Sequence, residues 1–138
     1  MESQLATAAD LNAVLRATAF LDGYELEVAA SAPRECHVRV PFNTQSERPG
    51  GIVSGMTVMG VADVAMWLAI MTVRGTQETW VTSDMKTAFL RSGRAEHMLC
   101  VAKILKIGKR TAYGIVETMG DKSGLLAHHV ISYVKVSD

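Results

Sequence analysis

Asp63 is the only charged side chain between positions 50 and 73, twenty-four residues that are otherwise apolar, small or hydroxylic. A carboxylate set alone among apolar neighbours incurs a desolvation cost, and such groups cluster at functional sites. The plain alternative is an Asp that points to solvent or accepts hydrogen bonds from a neighbouring element. A second candidate lies at Ser54-Gly55-Met56. Ser54 suits a helix N-cap, the free N–H groups behind it could hold a developing oxyanion, and Gly55 would let a substrate approach the backbone. An ordinary capped helix is the alternative there. On a helix Asp63 falls about 13 Å beyond Ser54 at roughly 1.5 Å per residue. Both can act on one carbonyl only if they come from different subunits, which implies a symmetric dimer with shared sites.

The elements that carry these residues are read from periodicity. Segment 62–71 is rich in helix formers and apolar all round, as in the buried centre of a domain or a membrane span. A mid-span Asp and amphipathic flanks argue against the membrane. One helix is expected over 54–73. An N-terminal segment, 1–22, carries a short helix from 8 to 20, with Asp10 as N-cap and Gly23 as its stop. From Tyr24 the period becomes two, giving strands near 24–28 and 36–42 joined by a turn around 31–33, then a polar loop over 43–51. After Gly75 come four strand-like runs. In the first, Val81, Met85 and Phe89 alternate with Thr82, Asp84 and Lys86. The others are 97–107, 110–119 and 125–136, with Gly-bearing turns between them. The order is α+β: a single domain, 1–138, with an antiparallel sheet wrapped around a long central helix.

Composition narrows the function. Fourteen basic residues balance fourteen acidic ones, which disfavours a nucleic-acid partner. Two isolated cysteines, Cys36 and Cys100, fit buried thiols in a reducing cytoplasm and form no CxxC metal or redox pair. The first ten residues do not read as a secretory signal. His128 and His129 fall on opposite faces of a strand and have no metal-spaced partner. No metal or other cofactor is expected.

The stretch Gly51-Ile-Val-Ser-Gly55, with Asp63 nine residues past Ser54, resembles the PaaI-like branch of the hotdog-fold acyl-CoA thioesterases. Their usual pattern is G-x-x-H-G-G, an apolar spacer and an Asp in the helix. The run from Val81 to Gly93 resembles the family's next strand, and Lys106-Ile-Gly-Lys-Arg110 its basic hairpin. The resemblance covers about Tyr24 to Val136. It implies a hotdog fold paired into homodimers or homotetramers, and hydrolysis of acyl-CoA. Asp63 would be the catalytic carboxylate, acting as base or as nucleophile. The Gly55 N–H of the facing subunit would polarise the carbonyl, and Thr82 would position water or carboxylate. Arg91, Lys106, Lys109 and Arg110 are candidates for the CoA phosphates, with a solvated charged hairpin as the alternative. Ser54 stands where the family has His, Met56 where it has a second Gly, and Ser92 where Pro is common. Arg48 holds a spacing often filled by Asn, and Asn43, further upstream, reaches the same place if the loop folds back. These departures bear on substrate class. A non-catalytic acyl-CoA-binding hotdog is the alternative from another class. Acyl-thioester hydratase chemistry is disfavoured, because it wants a His where Ser54 stands.

Overall fold

The computed structural model describes residues 2–43 and 47–138. The first helix, α1 (Ala8–Ala17), is capped by Thr7 and not by Asp10. The Asp10 N–H donates to Thr7 Oγ1 (3.2 Å), and its carboxylate accepts from the Thr7 N–H (2.8 Å). Asp10 is thus the third-position half of a capping box. The helix ends before Gly23, because Thr18 turns extended and its hydroxyl donates to the Val14 carbonyl. A short 3-10 turn, Ala19–Leu21, follows.

The first strand, β1 (Glu27–Ala32), starts later than periodicity indicated. Glu25 adopts φ 55°, which interrupts the extended chain. A two-residue turn with Arg34 at φ 71° leads into β2 (Glu35–Val40). The loop expected over 43–51 holds part of a small hairpin, β3 (Glu47–Arg48) with β4 (Ile52–Val53).

The central helix, α2 (Gly55–Arg74), begins behind Ser54, whose hydroxyl accepts from the Met56 N–H at 3.2 Å. It stops at Gly75, which sits at φ 79° where a side chain would be strained. Then come β5 (Trp80–Phe89), β6 (Met98–Ile107), β7 (Thr111–Gly120) and β8 (Gly124–Lys135). The six long strands form one antiparallel sheet in the order β1-β2-β6-β7-β8-β5. Helix α2 lies across one face, burying Val61, Ala65, Leu68 and Ile70 against Val38, Val116 and Ile131. This helix is long and apolar enough to cross a membrane, and here it is the core of the domain.

Gly114 sets how closely helix and sheet approach. A Cβ there would overlap the Lys103 carbonyl and lie 2.6 Å from Met66 Cε. Gly114→Ala is expected to lower the melting temperature by on the order of 5–10 °C, because overpacking a core costs about 1–3 kcal/mol. A melt within a degree of wild type would show that the sheet yields there. The β7–β8 turn is held by Glu96, which is almost fully buried. Its carboxylate accepts from the Arg94, Lys122 and Ser123 N–H groups and from the Ser123 hydroxyl. Burial alone would raise its pKa, but these donors outweigh burial and hold it down at about 2.

Candidate functional site

The register of β5 decides what reaches Asp63. Alternation suggested Val81 inward and Thr82 outward, whereas Val81 is 42% exposed and Thr82 meets the helix. The pairing of β5 with β8 shifts between Thr82 and Asp84. A bulge inserts one residue and so exchanges the faces. Trp80 and Thr82 therefore face α2 before the bulge, and Met85, Thr87 and Phe89 do so after it. As the sheet's last strand, β5 has no neighbour on its outer side among the described residues, so Phe89 stays 55% exposed.

Nor is α2 buried all round. Met56, Gly60, Asp63 and Trp67 recur at spacings of four, three and four, and form its least buried stripe. Asp63 sits midway along it, half-buried. Its Oδ1 accepts from Thr82 Oγ1 at 2.7 Å and from the Tyr133 hydroxyl at 2.8 Å. The same hydroxyl lies 2.9 Å from the Asp63 carbonyl oxygen. Among the described residues Oδ2 has no hydrogen-bond partner. Tyr133 is buried, and burial followed by the Asp63 charge raises its pKa, so the phenol stays protonated and can only donate to the carboxylate. Asp63, Thr82 and Tyr133 border a cavity of about 350 Å³ walled by Phe20, Gly60, Val64, Trp67 and Trp80.

Tyr133 was not singled out from the sequence. A faint signal exists: it shares strand parity with His129, and a buried tyrosine needs a partner for its hydroxyl. What the sequence does not show is that β8 pairs with β5 and sets Tyr133 opposite Thr82.

Gly55 belongs to a different cavity, of about 340 Å³, shared with Arg48, Val58, Phe89 and Arg91. A Cβ on Gly55 would come within 3.4 Å of the Phe89 ring. Its N–H has no acceptor among the described residues. Ser54 caps the helix, and Met56 is 85% exposed beside it. Asn43 lies elsewhere, donating to the Gly23 carbonyl at 3.0 Å; positions 44–46 lie outside the described residues. Lys106, Lys109 and Arg110 sit at the opposite end of α2. There Arg74 donates to the Gly108 and Lys109 carbonyls, and Arg110 donates to the carbonyls of Lys135 and Ser137. One chain thus brings Asp63 to Thr82 and Tyr133, and Gly55 to Arg48 and Arg91. The hairpin cations line neither cavity.

The buried polar groups elsewhere form a line across the sheet. Thr87 Oγ1 lies 2.8 Å from His129 Nδ1, Thr118 Oγ1 2.8 Å from His129 Nε2, and Cys100 Sγ 3.7 Å from Thr118. His128, one residue on, points to the other face and is half-buried. Burial pushes the Cys36 and Cys100 thiols up to about 12, so neither is a ready nucleophile.

A sheet wrapped on one long apolar helix, with a carboxylate midway along that helix, defines an α+β protein of the hotdog fold. Solved structures share it. The E. coli PaaI protein from the phenylacetic acid degradation operon superposes with a TM-score of 0.82 at 16% identity, over 91% of this chain and 90% of its own. Zebrafish thioesterase superfamily member 2 gives 0.81 at 24% identity, over 93% and 97%. An archaeal protein, Ta0293 of Thermoplasma acidophilum, whose name assigns it to the esterases, is 26% identical over 90% of this chain and 93% of its own. The sequence pattern of the thioesterase superfamily matches residues 50–127. The chain belongs to the thioesterase superfamily, and thioester hydrolysis is the general chemistry that membership carries.

Proposed function

We propose that this protein hydrolyses acyl-CoA thioesters at sites shared between the subunits of a homo-oligomer, with Asp63 as the catalytic carboxylate. The observation that carries this is the setting of Asp63. Two hydroxyls bind Oδ1, Oδ2 is left without a partner among the described residues, and an apolar cavity opens beside it. Such a carboxylate can take a proton from water as the water oxygen attacks the thioester carbon. The resulting oxyanion needs a donor, which the unpaired Gly55 N–H at the start of α2 provides. The C–S bond then breaks, and the thiolate takes the proton back from Asp63. The ~13 Å of helix between Ser54 and Asp63 requires that this N–H come from a second copy. The open stripe of α2 and the exposed edge of β5 support a surface for that copy.

Arg48 and Arg91, which line the cavity of Gly55, are better placed for the CoA phosphates than Lys106, Lys109 and Arg110, whose hairpin meets the far end of α2 through Arg74. Thiol release from a panel of acyl-CoA esters tests the reading. Turnover on a subset names the acyl class, and none on any ester counts against it. Oxygen-18 water then separates base from nucleophile. A single turnover is expected to leave the Asp63 carboxylate unlabelled, and label found there would establish an anhydride route.

A further inference from the structure

The Asp63 side chain is half-buried and open on one side. Gly60, one turn before it, offers no side chain, and a Cβ built there would meet nothing within 4 Å. Two hydrogen bonds restrain the carboxylate, and they differ in kind. Thr82 is exposed on the edge strand, next to the bulge. Tyr133 is 4% exposed, and its strand is paired on both sides, with β7 and with β5. A tyrosine ring has two soft torsions, so once the ring is packed its hydroxyl stands at a fixed point. From that point it reaches both Oδ1 (2.8 Å) and the carbonyl oxygen (2.9 Å) of the same residue. A three-centre arrangement of that kind ties the carboxylate's orientation to the helix backbone.

We propose that Tyr133 is a positioning residue for the reaction: its hydroxyl holds Oδ1 and thereby presents Oδ2 as the working oxygen. This rests on Asp63 being the catalytic carboxylate. The phenol takes no part in proton transfer; it restricts the carboxylate to the orientation in which one oxygen faces the cavity. Thr82 secures the same oxygen from the solvent side, so the two hydroxyls act as one constraint.

The test compares Tyr133→Phe, Thr82→Val, the double variant and Asp63→Asn for kcat and KM on the best acyl-CoA, with thermal unfolding alongside. Tyr133→Phe keeps the ring in the core. It is expected to lower kcat by on the order of tenfold to a hundredfold, the scale of a misplaced catalytic group, with KM within about twofold. Thr82→Val reaches the same constraint from an exposed position, so the double variant is expected to lose less than the product of the single losses, and fully multiplicative losses would mean two independent roles. In the Asp63→Asn background Tyr133→Phe is expected to add nothing. If Asp63→Asn abolishes turnover but Tyr133→Phe keeps wild-type kcat, the positioning role is wrong and the catalytic assignment stands. A rise in KM at constant kcat overturns it as well, since the phenol would then be touching substrate. Should Tyr133→Phe unfold, strictly multiplicative losses of Thr82→Val with Asp63→Asn would overturn the shared constraint, and a lack of further loss would support it. If Asp63→Asn turns over like wild type, the catalytic assignment itself fails and the role of Tyr133 falls with it.

Discussion

Replacing Asp63 by asparagine is expected to lower acyl-CoA hydrolysis by on the order of 100-fold or more, the scale of a lost general base. The fold should persist. Asparagine keeps an Oδ1 that can accept from Thr82 and Tyr133 at the positions the carboxylate oxygen holds. What it loses is the second acceptor oxygen and the capacity to take a proton. Asp63→Ala should fall at least as far and should also lose some stability, because the buried Tyr133 hydroxyl would lose its Oδ1 acceptor. Thiol release by wild type and both variants, beside their melting curves, decides the matter. Full activity in either variant would remove Asp63 from the reaction. Unchanged acyl-CoA affinity in Asp63→Asn, together with a wild type that never turns over, would favour a binding protein instead.

Acid should begin to destabilise the protein through His129 above the pH at which carboxylates titrate. Burial, with the neighbouring His128 charge adding to it, lowers the His129 pKa to about 4 from an ordinary value near 6.5. The native state holds this ring neutral, one nitrogen donating and the other accepting between Thr87 and Thr118. Between pH 6.5 and 4 the unfolded chain therefore binds more protons than the folded one. The contribution of His129 is intact above pH 6.5 and is lost as pH falls toward 4, by about 3 kcal/mol in total. Glu96, held at about 2, adds a further loss only below about pH 4.5. Urea unfolding at a series of pH values is expected to show this slope in wild type. His129→Gln, which can still donate and accept but does not titrate, should remove it. Equal slopes in the two proteins would mean that the ring is not the group responsible.

The sequence determined the class of the fold and the first catalytic candidate. Helix α2 was legible because its apolar run is long, Ser54 can cap it, Gly75 must end it, and strand formers do not dominate it. Four strands after the helix were legible because glycine-bearing turns punctuate period-two runs. Asp63 was legible because nothing around it in the chain is charged. These are local properties, carried by residues within a few positions of one another.

Tertiary structure decided the rest. The cap of α1 moved from Asp10 to Thr7, because either residue type can fill the role and only the geometry chooses between them. One extra residue in β5 exchanged the faces of that strand and brought Thr82 onto Asp63. A bulge leaves no mark in an alternation of residue types. Tyr133 reached Asp63 from seventy positions away, through a pairing of β5 with β8 that no local pattern specifies. Tertiary packing also parted the cations into two groups. Arg48 and Arg91 joined Gly55, and the hairpin lysines and Arg110 went to the other end of the helix. Periodicity reports which face of an element is apolar, whereas a site is made of contacts between elements, and those are set by register and packing.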